Sequence, residues 1–359
     1  MIAVVKYGYG PGETELRDVP IPEIGDDDVL VEVKAAGVCG SDVAFDDGGH
    51  KEILFPPVVL GHEFSGVVCK VGKNVTKWKP GDRVMSDNTG EVCGECYACN
   101  TADFLSCPER KGIGYGMDGG FTNYVKILGK TLARVPHSLM RIPDCMSYEE
   151  AAIMDPACNG YMAVVQEAKV MPGDFVAVFG VGTLGLFSIQ AARAAGAAKI
   201  IAVALSADGD ARFDMAVHCG ATHIIKSDLE DAVEKIKELT NGEGVSCIID
   251  AAGVNILMPQ MLRAVRTAGI IVKIGYDHHP YGYSLDPFVD GAISLKGHFG
   301  YDWVSWRNVS NLVQAGKWDL KCMISHRLKV SQFREAFDLL RRKESIKTIL
   351  YPENLDKKL

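Results

Sequence analysis

The sequence contains no uninterrupted apolar run close to the roughly 18 residues that a membrane span requires. Residues 1–6 give only a brief apolar run before charge and glycine follow, which is not the pattern of a secretion signal. Internal repeats and low-complexity segments are also absent. We therefore expect a globular protein of the cytoplasm with no membrane partner.

Clustered positive charge is scarce as well. The formal net charge is −8, and the most basic stretch is the triplet Arg341, Arg342 and Lys343. This triplet lies near the end of a predicted helix, where cations interact favourably with the helix dipole. Because nucleic-acid binding depends on clustered Lys and Arg side chains, we expect no nucleic-acid partner.

The chain is long enough for two domains, with 359 residues of which 47% are apolar. From residue 1 to residue 155, short strands alternate with turns, as in residues 29–35 and 66–72. This pattern predicts an antiparallel β domain, closed or nearly so.

A helical pattern begins where Ser147 and Glu150 are spaced to form a capping box. Strands and helices then alternate, which predicts a doubly wound α/β domain with a parallel sheet over residues 156–294. The remaining residues, 295–359, are too few for a third domain. We expect them to return and complete the first domain.

A glycine-rich turn is the strongest single signal in the α/β part. Residues 175–179 are a buried-strand pattern, residues 186–193 are a helix pattern, and the intervening glycines follow G-x-G-x-x-G. In that context the first glycine permits a tight turn, the second admits a pyrophosphate, and the third lets the helix pack on the strand. The sequence therefore predicts a dinucleotide site, with candidate contacts at Gly180, Gly182, Thr183, Leu184 and Gly185.

A lone glycine turn would be weak evidence, since many such turns bind nothing. Here three further strand patterns follow, at residues 199–203, 246–250 and 269–275. Their alternation with helices supports a dinucleotide-binding sheet. Gly275, at the end of the last pattern, is a further candidate contact.

Four of the eleven cysteines lie within one loop, spaced C-x2-C-x2-C-x7-C: Cys93, Cys96, Cys99 and Cys107. Four thiolates at this spacing can surround one tetrahedral zinc and leave no position open for substrate, which indicates a structural site. Free buried cysteines and an iron–sulfur cluster are the alternatives. The acidic charge disfavours a zinc ribbon that binds nucleic acid.

A second set of possible ligands is dispersed along the chain: Cys39, His62, Glu63 and Asp155. Each residue alone is more often part of a core than a ligand. Together they supply sulfur, nitrogen and oxygen donors, the mixture typical of a catalytic zinc that keeps a position open.

The motifs G-x-C-G-S-D at residues 37–42 and G-H-E-x-x-G at residues 61–66 stand in order with the cysteine loop and the glycine turn. This combination resembles the zinc-dependent medium-chain dehydrogenase/reductase (alcohol dehydrogenase) family across nearly the whole chain. The resemblance implies a GroES-like catalytic domain interrupted by a Rossmann domain. It also implies two zinc ions per chain, an NAD(P) cofactor, an alcohol substrate and a homodimer or homotetramer.

The resemblance assigns roles to the dispersed ligands. Cys39 and His62 match zinc ligands, and Glu63 matches a glutamate that ligates zinc directly or alternates with water. Asp155 matches a position that carries Glu, Asp or Cys in different members. Cys158, three residues on, is the alternative fourth donor.

In the family, zinc polarises the substrate oxygen and the nicotinamide accepts the hydride. Ser41 matches the residue that hydrogen-bonds this oxygen and starts the outward path of the proton, although it could be a simple turn hydroxyl. Many relatives have a histidine where this chain has Ala44. We propose His50, or the cofactor ribose with water, as the substitute route, although the sequence favours an ordinary loop histidine at position 50.

Cofactor choice is decided at the end of the second Rossmann strand, where an acidic residue usually binds the ribose 2′-hydroxyl of NAD. Ala204 occupies that position in this sequence. Without the carboxylate, Ser206 or Arg212 could contact a 2′-phosphate, so the sequence slightly favours NADP. Asp208 or Asp210 could instead replace the missing acid.

The C-terminal part of the sequence is similar to threonine and polyol dehydrogenases of the family. Threonine dehydrogenases typically have a histidine where this chain has Gly90, which weakens the threonine alternative. A carboxylate in the metal shell suits a hydroxyl-rich substrate, as do the polar candidates Asn88, Asn159, Asp277 and His278. We predict a polyol, sugar or related secondary alcohol, oxidised reversibly to the ketone.

Two alternatives to this substrate class remain. One is a threonine-type or simple secondary-alcohol dehydrogenase. The other is a non-catalytic binding protein that retains the fold, which is disfavoured because Cys39, His62 and the glycine turn are all present.

Overall fold

A computed structural model of the protein describes residues 1–277 and 279–354. The chain forms two compact units. The first unit comprises residues 1–155 together with the chain from Leu320 onward, and the second comprises residues 156–319.

The strands, in chain order, are β1 (Ile2–Lys6), β2 (Thr14–Asp18), β3 (Val29–Gly37), β4 (Val58–Val59), β5 (Glu63–Val71), β6 (Arg83–Ser86), β7 (Thr89–Glu91), β8 (Lys111–Gly112), β9 (Tyr124–Ile127), β10 (Leu139–Arg141), β11 (Phe175–Phe179), β12 (Lys199–Ala204), β13 (His223–Lys226), β14 (Val245–Asp250), β15 (Val265–Lys273), β16 (Ser294–Gly297), β17 (Ile324–Lys329) and β18 (Lys347–Tyr351).

The helices are α1 (Gly40–Asp46), α2 (Tyr97–Asn100), α3 (Gly129–Arg134), α4 (Tyr148–Ala152), α5 (Met154–Tyr161), α6 (Thr183–Ala195), α7 (Asp210–Cys219), α8 (Ala232–Leu239), α9 (Met258–Ala264), α10 (Asp286–Asp290), α11 (Trp303–Gln314) and α12 (Phe333–Arg341). A π-helical stretch, Met162–Glu167, follows α5.

The first unit is built on a seven-stranded sheet in the order β10-β6-β5-β3-β18-β17, with β9 also paired to β3. Its pairs are antiparallel except for β17 with β18. The predicted antiparallel β domain is thus confirmed. The tail of the chain belongs to it, because β18 pairs with β3 and the ring of Phe337 on α12 packs against Phe121.

The second unit holds a six-stranded sheet in the order β13-β12-β11-β14-β15-β16, with every pair parallel. Counted within the unit, this is strand order 3-2-1-4-5-6, the order of the dinucleotide-binding Rossmann fold. Strands β11, β12 and β14 are almost completely buried, as expected for a parallel sheet covered by helices. The order reverses between β11 and β14, and ligands of such sheets bind at the carboxyl ends of the strands there.

The boundary near residue 295 differs from our expectation. Residues 295–319 lie in the second unit, because β16 pairs in parallel with β15 and so belongs to the Rossmann sheet. The chain enters the first unit again only at Leu320. All four residues of β16 are exposed, so no buried face marked it as a strand of that sheet.

The capping box predicted from Ser147 and Glu150 is confirmed at the start of α4. The Ser147 hydroxyl accepts the backbone N–H of Glu150, and the Glu150 carboxylate accepts the backbone N–H of Ser147 at 2.8 Å. Among residues 1–277 and 279–354, no helix is both long enough and apolar enough to cross a membrane.

Candidate metal centres and dinucleotide site

The glycine turn after β11 has a separate physical reason for each glycine. Gly180 has a φ of +99°, and a Cβ there would lie 2.8 Å from the backbone nitrogen of Ala252. A Cβ on Gly185 would lie 1.9 Å from the carbonyl oxygen of Gly180. The first glycine therefore permits the turn, and the third permits close packing of α6.

Gly182 has a different role, since a Cβ there would have no described atom within 4 Å. It is the N-cap of α6, and no described side chain caps the helix at this position. The backbone of Thr183 and Leu184 begins the helix beside this open space. A helix N-terminus with open space in front of it can accept the pyrophosphate of a dinucleotide.

Gly275 lies just beyond the carboxyl end of β15. Its backbone N–H donates to the Asp250 carbonyl oxygen at 3.0 Å, and a Cβ on it would lie 2.4 Å from the Cα of Gly253. The close approach of the Gly253 backbone therefore explains why a residue without a Cβ stands at position 275.

The end of β12 carries the other predicted cofactor contacts. Ala204 is the last residue of this strand, as predicted, and it is buried. Ser206 donates its backbone N–H to Asp228 at 2.7 Å, and its hydroxyl also donates to that carboxylate. Arg212 lies on α7, where burial lowers its pKa and the carboxylate of Asp208 opposes that shift.

In the first unit, the side chains of Cys39, His62 and Glu63 come together, with their possible ligand atoms within 4.8 Å of one another. Sheet register is the cause. Strands β3 and β5 are antiparallel, and Gly37 at the end of β3 pairs with Glu63 at the start of β5. Two sequence segments more than twenty residues apart therefore meet at one edge of the sheet.

Asp42 orients two members of this cluster. Its Oδ2 accepts the backbone N–H of Cys39 at 2.9 Å, and its Oδ1 lies 3.3 Å from Nδ1 of His62. Burial alone would lower the pKa of His62, but the Asp42 carboxylate and the Cys39 sulfur raise it well above its ordinary value. A carboxylate at Nδ1 leaves Nε2 for a metal, which is the usual arrangement of zinc-binding histidines.

We assigned Asp42 no role from the sequence, although it closes the motif at residues 37–42. An acidic residue at the third position of a helix that begins beside a candidate ligand was the available signal. Ser41, its neighbour, lies with Oγ 3.5 Å from Nε2 of His62, the ring nitrogen that Asp42 does not face.

Lys347, at the start of β18, pairs with Glu63 in the core of the unit. The Lys347 Nζ is 2.7 Å from Oε1 and 2.6 Å from Oε2, and both side chains are almost completely buried. Burial raises the pKa of the Glu63 carboxyl, and the ammonium of Lys347 counteracts that shift. The carboxylate in turn raises the pKa of Lys347 against the effect of burial. Each charge therefore depends on the other.

Asp155 lies on α5 and does not join the group formed by Cys39, His62 and Glu63. Its Oδ2 accepts a hydrogen bond from Nδ2 of Asn88 at 2.5 Å.

Asn88 in turn accepts a hydrogen bond from Arg110, which also donates to the hydroxyl of Tyr115. The charge of Asp155 acts on Glu63 and raises its pKa. Asp155 is thus near the cluster but held by Asn88.

The four-cysteine loop gathers all four sulfur atoms within 4.8 Å of one another. The Sγ of Cys93 is 3.9 Å from that of Cys99 and 3.7 Å from that of Cys107. Zinc–sulfur bonds in a tetrahedron give sulfur–sulfur separations of about 3.8 Å, so these distances fit one zinc ion.

Backbone N–H groups donate hydrogen bonds to these sulfurs, which favours the thiolate form. The N–H of Cys96 donates to Cys93 at 3.3 Å, and the N–H of Cys99 donates to Cys96 at 3.4 Å. N–H groups of Glu95 and Cys96 lower the pKa of Cys93 to about 7. Burial and the neighbouring sulfurs raise the pKa of Cys99 to about 12, and a bound cation favours its thiolate form.

The remaining polar candidates have structural partners. Asn159 Oδ1 lies 3.1 Å from Nε2 of His298. Asp277 accepts the backbone N–H groups of Asn255 and His279, which hold its pKa below the usual range. His278 lies outside the described residues, and Cys158 is buried in the second unit.

His50, the proposed substitute in the proton route, lies in the loop after α1. Its Nδ1 is 3.6 Å from a carboxylate oxygen of Glu52, and its ring meets Phe45 edge-on at 6.0 Å between centroids. These contacts are those of a loop histidine, and its part in proton transfer stays a prediction.

Comparison with known proteins identifies the family. Residues 25–137 match the alcohol dehydrogenase GroES-like domain, and residues 183–315 match the zinc-binding dehydrogenase domain. The chain is 39% identical to the uncharacterized zinc-type alcohol dehydrogenase-like protein YdjL of Escherichia coli (strain K12), over 98% of each chain. The chain belongs to the zinc-type medium-chain alcohol dehydrogenase family.

Two further members show the range of this alcohol dehydrogenase family. The L-threonine 3-dehydrogenase of Bacillus velezensis is 34% identical over 98% of this chain and 99% of its own. The crystal structure of galactitol-1-phosphate dehydrogenase from Escherichia coli has a TM-score of 0.86 at 27% identity, covering 98% of this chain and 100% of that one. The predicted family, fold class and enzyme class are confirmed: the protein is a zinc-dependent, NAD(P)-dependent alcohol dehydrogenase.

Proposed function

We propose that this alcohol dehydrogenase transfers a hydride between its nicotinamide cofactor and a secondary alcohol of a polyol, sugar or related hydroxylated compound, reversibly giving the ketone. The observation that carries the proposal is the cluster of Cys39, His62 and Glu63 beside the hydroxyl of Ser41. Sulfur, nitrogen and carboxylate donors with a hydroxyl beside the histidine suit a zinc ion that binds an alcohol.

The same cluster is our candidate for the catalytic zinc. Cys39 and His62 would hold the ion, Asp155 would supply the fourth donor, and Glu63 would bind directly or alternate with water. Zinc supplies Lewis-acid chemistry at the substrate oxygen, and the nicotinamide supplies the hydride acceptor. Asp42, at Nδ1 of His62, would leave Nε2 for the ion, and Asn88 donates a hydrogen bond that would hold Asp155 nearby.

We further propose that Cys93, Cys96, Cys99 and Cys107 hold a structural zinc, which gives two ions per chain. The support is the fit of their separations to one tetrahedral ion and the closed set of four sulfur donors. Such a site stabilises the loop and takes no part in the reaction.

Ser41 gives a test of the reaction at one atom. In this proposal the Ser41 hydroxyl, 3.5 Å from Nε2 of His62, hydrogen-bonds the substrate oxygen and relays its proton outward, so we expect Ser41→Ala to lower kcat about 100-fold with unchanged zinc content. Ser41→Thr keeps the hydroxyl and serves as the matched control, which should retain most of the rate. Steady-state kinetics measure kcat for both variants. A Ser41→Ala enzyme with normal kcat would show that Ser41 is only a turn residue.

Substrate class is supported by residues and by relatives. Asp155 and Asn88 add a carboxylate and an amide near the cluster, which suits several hydroxyl groups. The similarity to galactitol-1-phosphate dehydrogenase favours a polyol or its phosphate. The similarity to L-threonine 3-dehydrogenase keeps threonine as the second candidate.

A substrate panel separates these candidates. Zinc-loaded enzyme is assayed by nicotinamide absorbance with polyols, sugars, polyol phosphates, threonine and simple secondary alcohols, each with NAD and NADP. The Cys39→Ser protein, prepared in the same way, measures the background of contaminating dehydrogenases. We expect the highest kcat/KM with a hydroxyl-rich compound. Highest activity with threonine would transfer the proposal to the threonine class. No activity with any compound would show that the proposed substrate class is wrong or favour a non-catalytic binding protein.

Cofactor choice was predicted to favour NADP slightly, because Ala204 lacks a carboxylate. That prediction requires Ser206 or Arg212 to be available for a 2′-phosphate. Ser206, however, already donates two hydrogen bonds to the carboxylate of Asp228. Ser206 therefore has a partner already, and the negative charge of that partner would repel a 2′-phosphate.

We also propose the homo-oligomer that the resemblance implied. Strand β16 is an edge strand with all four residues exposed, and large apolar side chains are exposed close to it in the sequence. Val289 on α10 is 79% exposed, and Leu285 is 61% exposed. An open edge with apolar neighbours is a surface that soluble proteins usually cover, in this case by a second copy.

Light scattering after size exclusion tests this arrangement. We expect the native protein to be a dimer or tetramer, and Val289→Asp to shift it toward a smaller species. Val217→Asp is the matched control. Val217 is also exposed, at 56%, but its helix α7 contacts β13, the opposite edge strand of the sheet. A monomeric native protein, or equal effects of the two variants, would contradict the proposal. The predicted cytoplasmic location stays a prediction.

A further inference from the structure

The end of β12 lacks the acidic residue that usually recognises the adenosine ribose of NAD. Ala204 stands there, with only 7% of its surface exposed, and it pairs with Lys226 at the end of the neighbouring strand β13. The carboxyl ends of β12 and β13 therefore lie side by side. A group that follows β13 can reach the place where the missing carboxylate would act.

Asp228, two residues after β13, is the acidic group that reaches across to the segment after β12. Its carboxylate accepts the backbone N–H of Ser206 at 2.7 Å and also the Ser206 hydroxyl. The adjacent Ser227 donates its N–H to the Ala204 carbonyl oxygen at 2.9 Å, which ties the two strand ends together. Asp228 is thus hydrogen-bonded to Ser206, which lies two residues after Ala204.

The Asp228 carboxylate is both accessible and charged. Its side chain is exposed, and the hydrogen bonds from Ser206 hold its pKa below the usual range. A carboxylate has about four lone-pair positions, so two remain for a ligand hydroxyl after Ser206 has used the others. The group can therefore accept hydrogen bonds from a ribose at neutral pH.

Lys226, Asp210 and Asp208, at the same corner of the sheet, each have a partner within the protein. The Nζ of Lys226 lies 3.1 Å from Asp210 and over the ring of Phe213 at 5.0 Å. Asp208 accepts the backbone N–H of Leu205 at 3.2 Å. The two acidic residues considered from the sequence, Asp208 and Asp210, thus serve the turn and an ion pair.

We propose that Asp228 selects NAD. Its carboxylate takes the place of the acid missing at Ala204, accepts a hydrogen bond from the ribose 2′-hydroxyl, and repels the 2′-phosphate of NADP. This inference rests on the proposed nicotinamide-dependent function, and it reverses the slight preference for NADP that Ala204 alone suggested. It assigns cofactor choice to the third strand of the sheet instead of the second.

Isothermal titration calorimetry of the full-length, zinc-loaded protein with NAD and with NADP tests the assignment without turnover. Asp228→Asn keeps an oxygen for the Ser206 N–H and removes only the charge. We expect the native protein to bind NAD at least about tenfold more tightly than NADP, and Asp228→Asn to reduce this ratio by about tenfold. The ratio of kcat/KM for the two cofactors should move in the same direction.

Asp210→Asn is the matched control, because it removes the same charge from the same corner but leaves the Ser206 contact intact. Its ratio should stay close to that of the native protein. A native preference for NADP, an unchanged ratio in Asp228→Asn, or an equal change in Asp210→Asn would each overturn the assignment to Asp228. If the native protein binds neither nucleotide, the nicotinamide-dependent function fails as well, whereas NAD binding that ignores Asp228 overturns this inference alone.

Discussion

Cys39→Ser is expected to reduce kcat/KM at least about a thousandfold, because Lewis-acid stabilisation by zinc contributes several kcal/mol to the transition state. Cys39 belongs to the cluster with His62 and Glu63, and no other sulfur joins that cluster in the described residues. The variant should also lose one of two zinc ions per chain, measured by elemental analysis. The four-cysteine loop should keep the other.

Cys145→Ser is the matched control for this substitution. Cys145 is exposed and lies in neither metal group, so its replacement should leave both zinc content and rate unchanged. A Cys39→Ser enzyme that retains two zinc ions and native turnover would show that the catalytic metal is elsewhere. Loss of zinc with full activity would show that the metal at Cys39 does not act in the reaction.

Lys347→Met is expected to destabilise the first unit by about 3–5 kcal/mol, because it leaves the Glu63 carboxylate buried without its partner. The two side chains are 2% and 0% exposed, and their separation is 2.6 Å. Urea unfolding of the native and variant proteins measures the difference. Lys329→Met, on the exposed face of the same C-terminal segment, should change stability by less than about 0.5 kcal/mol.

A double substitution separates the loss of the ion pair from a loss of packing. Combining Lys347→Met with Glu63→Gln removes the unpaired charge, so we expect much of the lost stability to return. If the double variant is as unstable as Lys347→Met alone, the cost comes from the altered shape at Lys347. If Lys347→Met is as stable as the native protein, Glu63 has another partner for its charge.

Local signals made the fold predictable. The capping box at Ser147 and Glu150 involves residues three apart, and the glycine turn marks a strand and a helix that are adjacent in sequence. Both depend on contacts within a few residues, which a sequence pattern records directly. The strand β16 escaped prediction as part of the Rossmann sheet because its residues are all exposed and leave no alternation to detect.

The candidate site was predictable only in part, because some of its residues meet only after distant parts of the chain fold together. Cys39, His62 and the four-cysteine loop are carried by short motifs with characteristic spacing. Lys347, in contrast, is 284 residues from Glu63 in the sequence. No pattern in the residues around either one predicts the ion pair. Asp228 meets Ser206 only through the pairing of β12 with β13, so its role depends on the register of the sheet.

Zinc-dependent hydride transfer to a nicotinamide from a hydroxyl-rich alcohol is the central claim, and a zinc removal and restoration experiment tests it most directly. Nicotinamide absorbance is followed with the best substrate of the panel, using native enzyme, chelated enzyme, and chelated enzyme resupplied with zinc. We predict full turnover in the native enzyme, less than about 1% after chelation, and recovery in proportion to the zinc restored. Undiminished turnover by enzyme shown to be free of zinc would contradict the account.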